Sequence, residues 1–217
     1  MADGIDLIID NKKFEVPTSE RARKYLKRQR VRFHLRTAPE GVLPEMTKPS
    51  RKKNKMNTGG FVIVLAGISN GRIVLWHYLS RRWTGQQAAE MYKGPILAAL
   101  QKHRGPKSKY RVLEDNDPTG YKSNAAIAAK HEVHIEAVEF PRYSPDLNPL
   151  DFSLWEAISS RMWKSAPSGR ETVDRYKVRL RRTAMRLPTT AVRKAIYDIP
   201  TRMRAIVKAK GGNIAKD

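Results

Sequence analysis

The sequence predicts an α/β protein: a mixed sheet flanked by helices, with extra helices at its C-terminal end. Three observations predict it. Short runs rich in β-branched residues, IDLIID near the start and FVIVLAGI and RIVLWHYL between residues 61 and 79, read as strands. Two later strand-like runs, YRVLED and IEAVEF, alternate with helix-forming segments, the order that builds a sheet with covered faces. From residue 149 onward the apolar spacing is that of helices.

Taken in order, IDLIID (5–10) is a short Ile-rich run that ends on Asp10, as a buried strand does. A basic helix-prone stretch follows at 21–30, then a candidate strand, VRFHLR, and an exposed loop at 37–58 rich in Pro, Lys and Thr. FVIVLAGI (61–68) and RIVLWHYL (72–79) flank Ser69-Asn70-Gly71, and Asn-Gly favours the positive φ angles of a tight hairpin. Thr84-Gly85-Gln86-Gln87 reads as a capping box opening a helix. Gly94-Pro95 should break or kink that helix. YRVLED (110–115) is a strand ending in acids, NAAIAAK is helical by propensity, and IEAVEF (135–140) is a further strand. Helices are expected at about 149–164, 170–186 and 189–209. The expected division is a catalytic unit over 1–165, with the basic loop 37–58 inserted, and a basic helical extension over 166–217.

Composition narrows the function. With 217 residues and 40% apolar content, the chain can bury one substantial core. It has no cysteine, which excludes disulfides and Cys-ligated zinc. No apolar run approaches the roughly 18 residues of a membrane span, and no secretory signal opens the chain, so an intracellular protein is expected. Forty-three Lys and Arg face 21 Asp and Glu, a formal charge of +22. Such an excess suits a polyanionic partner, because neutralised phosphates release condensed counterions; a ribosome-associated or merely soluble basic surface is the plainer reading. The excess is clustered: residues 21–55 hold 13 basic residues and two acids, and 170–210 hold 13 and three.

The stretch FPRYSPDLNPLDFSLWEAI (140–158) carries the chemistry. Asn148 is a good N-cap and Pro149 suits the first helical position, which puts Asp151 third. Leu154, Trp155, Ile158 and Met162 follow at three, four, seven and eleven residues, so the carboxylate shares the inward face of the helix. It either completes a capping box with Asn148 or belongs to a site. Asp10 and Asp115 also sit at predicted strand ends, and three carboxylates in one place stay ionised together only beside cations. Hard oxygen donors suit Mg²⁺ or Mn²⁺.

FPRYSPDLNPLDFSLW resembles the third signature of mariner-like DDE/D transposases. LEDNDPTGYKS (113–123) resembles their second motif, and LIIDNKKF, with Asp10 four residues before a phenylalanine, their first. GGFVIVLAGISNGRIVLWHY is similar to the family's glycine-led hairpin, and 35 residues separate Asp115 from Asp151, close to the family's spacing. The resemblance spans about 5–164. It implies a ribonuclease H-like fold and catalytic acids Asp10, Asp115 and Asp151 holding two Mg²⁺ or Mn²⁺ ions, in sites where paired metals lie roughly 3.5–4 Å apart. Asp10 would bridge the ions, while Asp115 and Asp151 would each hold one. The implied reaction is hydrolysis of a phosphodiester at a transposon end, followed by attack of the freed 3′-hydroxyl on target DNA. Double-stranded DNA, as ends and target, is the implied partner, with no membrane and with pairing of two copies as a homodimer; a eukaryotic host would place it in the nucleus.

Two departures stand out. Gly120 and Tyr121 occupy the stretch where relatives carry a histidine, and the first strand begins by residue 5, where full-length relatives have a paired helix-turn-helix region. Either a fragment or the loss of end recognition is expected. Asp6 and Asp117 are alternatives to Asp10 and Asp115. His131-x-x-His134 reads as helix-end chemistry, Trp76 and Trp155 as core, and Trp83 and Tyr143 as residues able to stack on bases. DNA contacts are expected from Lys48, Arg51, Lys52, Lys53 and Lys55 in the basic loop, from Arg142, and from Arg179 and Arg182 on the C-terminal helices; for the basic run a nuclear-localisation signal and a solvated loop are the alternative readings. A non-catalytic DNA-binding relic of such a transposase is the competing class, and a general ribonuclease H-like nuclease a weaker third.

Overall fold

A computed structural model of the chain describes residues 4–20, 22–24, 60–80, 83–138 and 144–209. The elements are β1 (Leu7–Glu15), β2 (Phe61–Ser69), β3 (Arg72–Leu79), α1 (Gly85–Met91), a π turn (Tyr92–Ile96), α2 (Leu97–Arg104), β4 (Tyr110–Leu113), α3 (Asn124–Glu132), β5 (Ile135–Val138), a second π turn (Leu150–Leu154), α4 (Trp155–Lys164), α5 (Val173–Met185), α6 (Thr189–Tyr197) and α7 (Ile199–Lys208). The five strands lie in the order β3-β2-β1-β4-β5. β1–β2 and β2–β3 are antiparallel, and β1–β4 and β4–β5 are parallel. This is the mixed, helix-covered sheet that the pattern of strand and helix segments predicts.

Alternation along β1 divides the molecule into two layers. Ile8 and Phe14 face a core built with Val62, Val64, Trp155, Ile158, Tyr176, Leu180, Val192 and Ile199. Leu7 and Ile9 face the other, with Tyr92, Ile96, Leu100, Tyr121 and Ala126. Helices α4 to α7 thus cover one face, and α1 to α3 the other. The segment expected as a C-terminal extension contributes Tyr176, Leu180, Ala184, Val192, Ala195 and Ile199 to the same core as β1 and β2.

The hairpin turns as its Asn-Gly signals. Asn70 has φ 50° and Gly71 φ 76°, the positive pair that a two-residue turn between twisted strands requires. Thr84 caps α1 by accepting from the Gln87 N–H (3.3 Å), while the Gln87 amide bonds Ser80 and not the cap. Gly94-Pro95 does not break the helix; the strain of the missing N–H is taken up in the π turn, and α2 continues.

Three expectations need correction. β1 does not stop at Asp10 but runs to Glu15, because β2 pairs with it from Ile8↔Ile68 to Glu15↔Phe61. The strand expected over 110–115 ends at Leu113. The helix expected over 189–209 is two, since Pro200 in the first turn of α7 has no N–H to carry α6 onward. Residues 20 and 22–24 are helical; most of the basic stretch 21–30, the candidate strand VRFHLR and the loop 37–58 lie outside the described residues.

Candidate active site

Asp10, Asp115 and Asp151 line one cleft of about 850 Å³, together with Asn11, Asn116, Asp117, Lys122, Pro145 and Asn148. Each acid comes from a different element. Asp10 lies within β1, Asp115 two residues past the end of β4, and Asp151 in the turn that leads into α4.

The local sequence accounts for each placement. The Asn148 side chain accepts from the Leu150 N–H (3.0 Å), and its carbonyl from the N–H groups of Asp151 (2.9 Å) and Phe152 (3.0 Å). The Asn148 N–H itself donates to the Pro145 carbonyl (3.3 Å). From this start Leu154, Trp155, Ile158 and Met162 are all buried, and Asp151 sits at the rim with its side chain 25% exposed. Arg202 of α7 braces the same loop: its Nε donates to the Asp146 carbonyl (2.6 Å) and its guanidinium lies over the Phe152 ring (4.2 Å). Asp115 accepts from the following Asn116 N–H (2.7 Å). Asp117 folds its loop by accepting from the Thr119 N–H and hydroxyl (3.0 and 2.8 Å).

Asp10 is the most constrained of the three. Its residue is 5% exposed, and Oδ2 accepts a hydrogen bond from the Trp155 indole N–H (2.5 Å). Burial first, and the nearby Asp151 carboxylate second, push its carboxyl up to about 8, with the Trp155 bond and Lys12 working against them. Lys12 stands 3.8 Å from Asp151. Among the described residues, no three carboxylate or imidazole side chains are drawn together tightly enough to enclose an ion. The donor chemistry nevertheless fits a hard divalent cation: the lining is acidic oxygen, and a buried carboxyl that ionises reluctantly against its neighbour is what a cation would relieve.

Asp6, the alternative to Asp10, does other work. It is 2% exposed and bound by Arg104 (3.0 Å), Lys107 (2.5 Å) and the Arg111 N–H (3.0 Å). Burial works to raise its pKa, but these partners hold it below the ordinary aspartate value. It ties α2 to β4 and is not in the lining of the cleft.

Of the expected DNA contacts, Lys48, Arg51, Lys52, Lys53, Lys55 and Arg142 lie outside the described residues, as does Tyr143. Arg182 is exposed on α5. Arg179, expected to contact DNA, has its guanidinium engaged within the chain. Its Nε and Nη2 grip Glu171 (2.7 and 2.5 Å) and its Nη1 donates to the Met162 carbonyl (2.6 Å), so it locks α5 to the end of α4. His131 and His134 are exposed at the end of α3.

Sequence reasoning assigned Trp155 to packing alone. It packs on Phe14 and Trp76 and also holds Asp10; the signal was its four-residue spacing from Asp151, which puts both on one helix face. Trp155→Phe keeps the packing and removes the donor. It should leave the fold intact and lower cation affinity about tenfold, as loss of a group orienting a metal ligand does, read by cation-dependent melting. Trp83 meets Tyr121 edge-on at 5.0 Å and lies so close to Gly120 that a Cβ there would collide with the indole and approach Asp117 Oδ2 to 2.7 Å. Gly120→Ala should therefore destabilise by about 1–3 kcal/mol, measured as a lower melting temperature.

No protein-family model matches the chain. Over 98 residues it is 28% identical to the transposable element Tcb1 transposase of Caenorhabditis briggsae and 29% identical to the transposable element Tc1 transposase of Caenorhabditis elegans. Those matches take in 45% of this chain and 34% of each relative, so the match spans about a third of the length of these curated relatives. The fold superposes on the Mos1 mariner paired-end complex with Mn at a TM-score of 0.69 and 16% identity, over 96% of this chain and 56% of that one. It also superposes on the catalytic domain of Mos1 mariner transposase alone, at a TM-score of 0.60 and 16% identity, over 89% and 91% of the two chains. Sequence and fold agree in what the chain is similar to: it resembles the ribonuclease H-like catalytic domain of mariner-like DDE/D transposases.

Proposed function

We propose that the chain cleaves DNA phosphodiesters with divalent cations and joins the freed 3′-hydroxyl to target DNA, as a mariner-like transposase catalytic domain. The observation that carries this reading is the convergence of three carboxylates, from three separate elements, on one cleft. Solved Mos1 complexes with Mn and with Mg, and a Mos1 strand transfer complex, support divalent-cation chemistry on DNA for this fold. Asp10, Asp115 and Asp151 would hold the cations, two to a site. When bound, such ions neutralise charge on a phosphoryl group and activate the attacking oxygen.

The chain's own residues prepare the site. The Trp155 N–H fixes one oxygen of Asp10, and the Asn148 cap aims Asp151 at the cleft. Asp10 gives up its proton as a cation arrives, so binding is linked to proton release. Exposed Arg175, Arg181 and Arg182 on α5 and Arg186 at its C-terminal cap offer charge to the phosphate backbone, positioning DNA without reading its sequence. The +22 charge and the basic run Lys48–Lys55 suit the same partner. Two copies pairing two ends as a homodimer, in the nucleus of a eukaryotic host, complete the reading.

The test is joining of a labelled duplex with an exposed 3′-hydroxyl to plasmid DNA. Joining should require Mn²⁺ or Mg²⁺ and be lost in Asp115→Asn; joining by that variant at the wild-type rate would contradict the assignment. Arg182→Ala should weaken DNA binding equally for all sequences and lower the slope of log K against log salt by about one, in titrations at several salt concentrations.

A further inference from the structure

We propose that a polar chain running from the cleft wall into the core, Asn11–Tyr121–Lys130–Glu114–Tyr92, sets the separation of Asp10 from Asp115 and with it the cation preference of the site. This rests on the reading of those acids as cation ligands. Neighbouring residues of a strand point to opposite faces, so while Asp10 faces Trp155, Asn11, at the cleft wall, reaches with its side chain towards the other layer. There its side-chain N–H donates to the Tyr121 hydroxyl (3.2 Å). Tyr121 is wholly buried, and its carbonyl accepts from the Lys130 ammonium (2.9 Å). The same ammonium donates to Glu114 (2.5 Å), whose second oxygen accepts from the Tyr92 hydroxyl. Glu114 is 1% exposed and Lys130 5%.

Glu114 is the residue before Asp115, as Asn11 is the one after Asp10. The buried chain therefore joins the sequence neighbours of two cleft acids. Backbone pairing does not do this: the β1–β4 ladder ends at Ile8↔Leu113, short of both acids. Stability does not explain the network either. Burying Glu and Lys costs several kcal/mol per ion, and apolar replacements of such pairs are commonly as stable. Tyr92 opens the π turn of the α1–α2 helix, an irregularity that recurs at functional sites.

The experiment titrates the full chain with Mn²⁺ and with Mg²⁺, reading melting temperature and tryptophan fluorescence. Tyr121→Phe removes only the hydroxyl. The pair Lys130→Met with Glu114→Gln removes the two buried ions at similar volume, leaving Lys122 of the cleft wall, 3.5 Å from Glu114, to solvent. Both should fold, shift the Mn²⁺ midpoint about tenfold upward, and shift the Mg²⁺ midpoint further, because Mg²⁺ tolerates less departure from octahedral geometry. A matched control, Arg179→Met with Glu171→Leu, removes the buried pair on the other face of the sheet and should leave both midpoints at the wild-type values. Folded Tyr121→Phe and double variants with wild-type midpoints for both cations would overturn the proposal while leaving the proposed function standing. A wild type without any Asp151-dependent cation response would overturn both.

Discussion

Replacing Asp10 by Asn should cut DNA cleavage on the order of 10³-fold, the upper end of what losing one group that stabilises developing charge costs, and at the same time make the cation-free protein more stable at neutral pH. The second half follows from linkage. In the unfolded chain an aspartate ionises near 4; in the fold, burial and then Asp151 raise the Asp10 carboxyl to about 8. Between those values the folded state holds the extra proton, so stability is fully present below about 4 and is lost as pH rises towards 8. Asp10→Asn removes that loss. In chelator at pH 7.5 its melting temperature should exceed the wild type's by several degrees, at about 2–4 °C per kcal/mol for a domain of this size. Added Mn²⁺ should then raise the wild type and not the variant. The same linkage predicts that the cation midpoint of the wild type tightens by up to about tenfold per pH unit from 6 to 8 and levels off above. Thermal melts in chelator and in Mn²⁺ across that range check each statement.

Arg179→Ala should cost about 3–5 kcal/mol of stability, because it leaves buried Glu171 without its bidentate partner. Denaturant unfolding would show this as a lower midpoint with an unchanged slope. The paired change to apolar residues, Arg179→Met with Glu171→Leu, should recover most of the loss, since both ions leave together. DNA affinity per folded molecule should stay at the wild-type value in Arg179→Ala, in contrast to Arg182→Ala. Affinity loss without destabilisation would instead make Arg179 a phosphate contact.

What the sequence disclosed and what it withheld separate along physical lines. The hairpin was legible because Asn70-Gly71 is nearly a conformational instruction. The position of Asp151 was legible because Asn148 and Pro149 fix where the turn begins and the helical period then fixes which way a side chain points. The bonds of Glu114 were not legible: Lys130 lies 16 residues away and Tyr92 22, and no local period links them. Arg179 read as a surface cation for the same reason, since its partner Glu171 sits eight residues back, before the helix begins. The extent of β1 was hidden because NKKFE is polar by pattern and is held in the sheet by pairing with β2. Pro200, by contrast, was a visible stop signal inside the helix expected over 189–209.

The measurement that bears most directly on the three acids is nicking of labelled plasmid and oligonucleotide DNA in Mg²⁺ or Mn²⁺, wild type against Asp151→Ala, with DNA affinity measured on the same preparations. The expected result is cation-dependent nicking by the wild type that disappears in Asp151→Ala while DNA binding is kept. A folded wild type that binds DNA and nicks nothing in either cation, or an Asp151→Ala variant that nicks as well as the wild type, would contradict it.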